Sequence, residues 1–204
     1  MDTVEKDGLI WPATDTICYD CIIQDIPFLR EAVGYCTQTR TAIQAGGNAG
    51  MYPVELADHF DRIFTFEPEP LNFFCLERNT SHLVDVQAIN GVLGDSREPV
   101  SINGWEPNCG SYEVSGDGDI EQYVIDDMEL TDLDFLQLDV QGFEGRVIKG
   151  AITTIQRSHP VIMLEEGYGV TPRALLKTLG YVEVASTRPG NKSGVRDTVY
   201  VYQA

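Results

Sequence analysis

The chain has 204 residues and carries 32 Asp and Glu against 14 Lys and Arg, a formal net charge of −18. That balance argues against a nucleic-acid partner, because phosphate contacts depend on Lys and Arg, and the 43 % apolar fraction argues against disorder. No run of about 18 apolar residues is present and the opening MDTVEKDGLIWP has no apolar signal segment, so no membrane partner and a cytoplasmic location are expected.

The first twenty residues read as an irregular lead-in. From Gln24 to Gln38, Ile26, Phe28, Leu29, Val33 and Cys36 fall at helical spacing. Thr41 to Ala45 is a short strand running into Gly46-Gly47-Asn48-Ala49-Gly50, and a helix follows from Met51 to Phe60 with Pro53 in its first turn. Arg62 to Phe66 is the next strand, ending at Glu67-Pro68, with a helix from Leu71 to Asn79 and a strand from Val84 to Ile89. Residues Gly91 to Gly118 read as short strands and loops, and Ile120 to Ile125 as a further strand. Phe135 to Asp139 is a strand covered on both faces. It is followed by a helix from Phe143 to Gln156, a strand from Val161 to Glu165, and a helix from Thr171-Pro172 to Gly180 with Thr171 as its cap. Tyr181 to Ala185 and Thr198 to Tyr202 are the last strands, joined by a turn at Arg188 to Lys192.

Strands alternating with helices imply an α/β fold with a mainly parallel sheet and helices on both faces. The last two strands are joined without a helix, so one of them is antiparallel. The chain reads as one domain, with a helical lead-in over 1–38 and a core over 39–204. The five cysteines, Cys18, Cys21, Cys36, Cys75 and Cys109, are odd in number, and Cys18 and Cys21 form a single CxxC with no second pair. They read as ordinary thiols of a reducing compartment.

Ligands of such sheets bind beyond the carboxyl ends of the strands. Four ends therefore matter: Gln44 to Gly50, Glu67, Asn90 to Asp95, and Asp139 to Gly142. Gly46, Gly47 and Gly50 allow close backbone approach, and a carboxylate at Glu67 suits the two hydroxyls of a ribose. Two cofactors fit, a nicotinamide dinucleotide and S-adenosylmethionine. Ala45 to Gly50 gives A-x-G-x-x-G, which lacks the first glycine of the dinucleotide fingerprint.

The segment from Ala42 to Tyr52 resembles the first motif of the FkbM family of S-adenosylmethionine-dependent methyltransferases. Phe66-Glu67-Pro68, Asn90 to Asp95, Asp134 to Glu144, Val147 to Ala151 and Pro160 to Glu165 are similar to that family's later segments, in the same order. The resemblance implies a class I, Rossmann-like methyltransferase fold with a seven-stranded sheet and an antiparallel C-terminal strand. It implies S-adenosylmethionine held by Gln44, Ala45, Gly46, Gly47, Asn48, Gly50, Tyr52, Glu67, Pro68, Asn90, Asp95, Asp139 and Gln141. It also implies O-methylation of a small molecule, sugar or glycan. The family has an acid where Gln44 stands and Glu where Gln141 stands.

Methyl transfer is an in-line displacement, and a base that removes the acceptor's proton assists it. Asp139 is the candidate; it could equally orient the cofactor's methionine end or cap the next helix. Glu144 is read as bonding the backbone of the turn. Glu165 and Glu166 could meet the acceptor or join Asp139 around Mg²⁺, but nothing fixes a ligand geometry and no metal is expected. His59, His82 and His159 are scattered and read as structural. Trp105, Asn108, Cys109, Tyr112 and Tyr168 are candidates for an acceptor pocket. Two other classes stay open. One is a nicotinamide-dependent oxidoreductase, opposed by Asp127 where a Lys would follow Tyr123. The other is a non-catalytic cofactor-binding module.

Overall fold

The computed structural model describes residues 2–104, 107–167, 172–187 and 195–203. The lead-in is not irregular. Strands β1 (Thr3–Lys6) and β2 (Leu9–Pro12) pair antiparallel around Asp7 and Gly8, both with positive φ (49° and 84°). A two-residue Asp-Gly turn has the backbone twist that closes a hairpin. Trp11 ends this hairpin fully buried, and its indole N–H donates to Asp15 at 2.8 Å.

Helix α1 spans Cys18–Val33 and so starts six residues before the apolar periodicity suggested. Its start is fixed by Asp15. Oδ1 accepts from the amides of Ile17 and Cys18 at 3.2 and 3.0 Å, and Oδ2 from Tyr19 at 3.0 Å, which satisfies first-turn donors that have no helical partner.

The core elements follow in alternation: β3 (Thr41–Ala45), α2 (Met51–Leu56), β4 (Arg62–Glu67), α3 (Pro70–Thr80) and β5 (Val86–Asn90). Two small ladders come next. β6 (Val92–Leu93) pairs with β9 (Gln122–Tyr123), and β7 (Val100–Asn103) with β8 (Glu113–Asp117). The residues after β9 form a 3₁₀ turn over Ile125–Met128 rather than a longer strand. Then come β10 (Leu133–Leu138), α4 (Glu144–Lys149), α5 (Ile152–Ser158), β11 (Val161–Glu166), α6 (Arg173–Thr178), β12 (Tyr181–Ser186) and β13 (Arg196–Tyr202). The expected helix over 143–156 is two helices. At Gly150 a Cβ would lie 2.0 Å from the Gly94 carbonyl, and Asp126 caps the second helix through the amides of Thr153 and Thr154.

Seven strands form one sheet in the order β12-β13-β11-β10-β3-β4-β5, parallel except for β13, which runs antiparallel to both neighbours. Alternation along each strand sends side chains to two layers. Ile43, Ala45, Leu136, Leu138, Ile162 and Leu164 pack with Val147, Ile148, Ile155 and Leu176 of α4 to α6. Ala42, Ile63, Phe135 and Met163 pack with Leu29 and Val33 of α1 and Leu56 of α2. Both faces are thus covered, which is why β3 and β10 are buried along their whole length. The carboxyl ends of β3, β4 and β10 meet at one edge. Among the described residues no helix is long and apolar enough to cross a membrane.

Candidate active site

The loop after β3 folds back over β4. The amides of Gly46 and Gly47 donate to the Phe66 carbonyl at 3.1 and 2.9 Å. Gly46 has φ +83°, and a Cβ there would stand 1.9 Å from the Asp139 carbonyl oxygen. Here the glycine answers to the close passage of β10, not only to a ligand. Gln44 is fully buried below this loop. Its Nε2 donates to the Gly46 carbonyl at 2.9 Å and its Oε1 accepts from Thr65 Oγ1.

Glu67 closes β4 and is only 4 % exposed. Its Oε2 accepts from the Asn48 amide at 2.7 Å and its Oε1 from the Glu69 amide at 2.8 Å. Burial pushes its pKa up to about 7, against the lowering effect of those amides. The Asn72 side chain is a further donor to this carboxylate. Asn90, at the end of β5, donates to the Glu67 carbonyl at 2.8 Å and so braces the strand end from behind.

A cavity of about 780 Å³, including its open mouth, lies over these strand ends. One side is apolar, with Phe66, Val92, Leu93 and Phe143, and Met51 packs with Cys18 and Cys109 opposite. The other side is closed by α1, through Cys18 and Ile22, and by the segment Cys109 to Val114. Asp15 ties these two walls together, because its Oδ1 also accepts from the Cys109 amide at 3.4 Å. The Cys109 carbonyl accepts from Asn48 Nδ2 at 3.1 Å and Asn72 Nδ2 at 2.7 Å.

Acids gather where β10, β11 and β13 meet. Gln141 Nε2 donates to Asp139 Oδ1 and to Glu165 Oε2, both at 2.9 Å. Glu165 lies opposite Asp197 across β11 and β13. Burial raises the pKa of Asp139 and, more strongly, of Glu165, where the adjacent Asp139 charge adds to it. Asp197 is pushed up to about 8 and Asp25 of α1 to about 6, by burial first and by Asp139 second. Tyr52 faces these acids, and burial followed by their charges raises its hydroxyl pKa. Among the described residues, no group of three or more His, Cys, Asp and Glu is arranged to hold a metal ion.

Of the residues singled out from sequence, Ala45, Gly46, Gly47, Asn48, Tyr52, Glu67, Pro68, Asp139 and Gln141 line the cavity. Gln44, Gly50, Asn90 and Asp95 stand off its wall. Gln44 is directed into the layer under the sheet. Gly50 has φ +96° at the start of α2, and its Cβ position abuts Leu76. Asn90 braces Glu67, and Asp95 pairs with Arg146 of α4. The sequence reading overlooked Cys18, Ile22, Met51 and Asn72. Cys18 and Ile22 come from α1 before the start of the apolar periodicity, and Met51 and Asn72 sit in the first turns of α2 and α3, where nothing in the sequence points them at a ligand.

Tyr112 and Cys109 lie on the wall, and Asn108 is turned to the Gly110 amide. Trp105, Tyr168, Thr171 and the turn at 188–192 lie outside the described residues. No histidine lines the cavity; His159 stacks on Tyr202 and His59 approaches Glu55.

Comparison with curated proteins finds no sequence match. Solved structures are similar in fold. A methyltransferase FkbM from Methylobacillus flagellatus KT superposes with TM-score 0.58 at 16 % identity over 80 % of this chain, which spans 44 % of that one. TYW2 of M. jannaschii, in complex with AdoMet, gives TM-score 0.53 at 10 % identity over 98 % of this chain and 86 % of its own. An rRNA methylase from Streptococcus thermophilus gives TM-score 0.54 at 11 % identity over 90 % of this chain and 96 % of its own. The fold is the class I, Rossmann-like methyltransferase fold, with the sheet order and the single antiparallel strand described above. The profile of the methyltransferase FkbM domain matches residues 46–181, from the glycine loop to the start of β12, and on that match the chain belongs to the FkbM methyltransferase family.

Proposed function

We propose that the protein transfers a methyl group from S-adenosylmethionine to a hydroxyl of a small molecule, sugar or glycan. The observation that carries this reading is one cavity with Glu67 at one end and Asp139 at the other. The residues present fit the donor. Glu67 stands at the end of β4 on the cavity wall, where a carboxylate can accept from the vicinal hydroxyls of a ribose. The apolar wall of Phe66, Val92, Leu93 and Phe143 suits a purine face, and Asp139 on the lining suits a positively charged group.

The donor would supply a methyl carbon activated by a positively charged sulfur, which is the group displaced when the acceptor's electron pair bonds that carbon. The chain's part is to hold both partners in line and to take a proton. Asp139 suits the second task, since no described side chain other than Gln141 and Glu165 engages its carboxylate. It is not the cap of α4. That turn is braced by Glu144, whose Oε1 accepts from the amides of Val140 and Gly142 at 3.1 and 3.2 Å. The charge of −18 supports an acceptor other than nucleic acid.

Calorimetry with S-adenosylhomocysteine and with NAD tests the cofactor. We expect the first to bind and the second not to; tight NAD binding alone would favour the oxidoreductase reading. Tritiated methyl transfer to pooled metabolites, glycans and a transfer RNA transcript tests the acceptor. Label on the RNA would overturn the acceptor class, and label on none would favour a cofactor-binding module.

A further inference from the structure

We propose that Asp139 and Glu165 act as a carboxyl pair sharing one proton, and that Gln141 is the positioning residue that holds the pair at the acceptor end of the cavity. This rests on the reading that the acceptor is a group that loses a proton when methylated.

Geometry comes first. Gln141 sits in the turn after β10 with φ +52°, a left-handed conformation that is uncommon for a residue with a side chain. The next residue, Gly142, also has positive φ, at 95°. This turn swings the Gln141 side chain back over the strand ends. A primary amide has two N–H donors, and Gln141 spends both on carboxylates, Asp139 Oδ1 and Glu165 Oε2, each at 2.9 Å. One amide nitrogen thus bridges the two carboxyls and brings them close enough for the charge of one to raise the pKa of the other.

Among the described residues, no cation faces the pair. Asp25 and Cys18 face the pair from α1, Tyr52 from α2, Glu144 from α4 and Asp197 from β13. All are acids or neutral. The nearby guanidinium groups of Arg173 and Arg196 are engaged by Glu166 and Glu183 instead. Two carboxyls in contact without a counter-ion cannot both ionise, so one proton is retained between them. The raised pKa of each partner agrees with this.

The proton balance follows. The resting pair carries one proton and one negative charge. As the acceptor oxygen bonds the methyl carbon and the carbon–sulfur electron pair leaves with sulfur, the hydroxyl proton passes to Asp139. The pair is then neutral with two protons, and one is returned to solvent. Gln141 stabilises the single negative charge of the pair, because its amide donates to an oxygen of each partner.

The test does not need the acceptor. Infrared titration of the full-length protein follows the carbonyl stretch of protonated carboxylic acids from pH 4 to 10. For the wild type we expect a protonated-acid band that persists above pH 9, after Asp197 and Glu67 have ionised. Glu165→Gln should remove most of it with the circular dichroism spectrum unchanged, whereas Asp197→Asn should remove only a component that titrates near neutrality. Gln141→Ala should shift the Asp139 titration upward by about one unit, since a donor to the charged form is lost. A persistent band that survives Glu165→Gln, or a Gln141→Ala titration identical to wild type, would overturn the proposal. Failure of S-adenosylhomocysteine to bind the wild type would count against the methyl-transfer reading instead.

Discussion

Glu67 shows how one side chain serves binding and fold together. It was legible in the sequence as an acid at a strand end, but not as the acceptor for the Asn48 and Glu69 amides. Glu67→Ala should therefore weaken S-adenosylhomocysteine binding by at least tenfold and also lower stability by about 1–3 kcal/mol, the cost of leaving buried amides unpaired. Paired calorimetric and thermal-melting measurements check both arms; an unchanged dissociation constant would remove Glu67 from the site. Asp139 separates the roles that sequence left open. Asp139→Asn can still accept from Gln141 and should keep most cofactor affinity while reducing single-turnover rate roughly 10²-fold or more. Joint loss of affinity and rate would mark it as a cofactor-orienting group. Gln44 lay beyond such reading. Its place on the motif suggested the cofactor, but alternation along β3 turns it into the layer with Thr65, away from the cavity.

At the scale of elements, the active-site walls depend on a cap. Asp15 gathers the amides of Ile17, Cys18, Tyr19 and Cys109 and the Trp11 indole. Burial opposes its charge, but the Cys18 and Tyr19 amides and the other donors outweigh that and lower its pKa. Asp15→Ala should cost about 1–3 kcal/mol of stability. It should also weaken S-adenosylhomocysteine binding severalfold, because the Cys109 wall loses its tie to α1. A melt shifted with no change in affinity would show that the wall stands without the cap. In the sequence the hairpin before it reads as an irregular lead-in, although Asp7-Gly8 is a short-range turn cue; its first strand, Thr3–Lys6, has little apolar pattern to mark it. The break between α4 and α5 was not signalled, since it depends on Gly94 and Asp126, distant in sequence.

For the molecule as a whole, the acids set the pH dependence. Asp197 titrates at about 8, Glu67 at about 7, and Asp25 and Glu144 at about 6, each raised first by burial. The native state holds these protons after the unfolded chain, with ordinary carboxylates, has released them. Stability therefore falls as pH rises from about 4.5 to 8. Asp15, Asp134 and Glu166 act oppositely. Their pKa values are lowered, so their contribution is lost as pH falls below the ordinary carboxylate range. The thermal midpoint of the cofactor-free protein should be higher at pH 5.5 than at pH 8. A midpoint that rises over that interval would mean the acids around Asp139 are ionised in the native fold.

The sequence by itself determined the alternation of strands and helices, the strand ends where chemistry gathers, and the order of segments that marks the family. Those features are local, written in apolar runs, turn residues and spacing along 40 to 166. Tertiary structure alone decided which of those residues face the cavity, that α1 and the Cys109 segment wall it, and that Gln141 joins Asp139 to Glu165. The physical reason is reach. A side chain's direction is set by the strand it alternates on, and the partners of Asp15, Gln141 and Glu67 come from elements that only the folded sheet brings within hydrogen-bond distance.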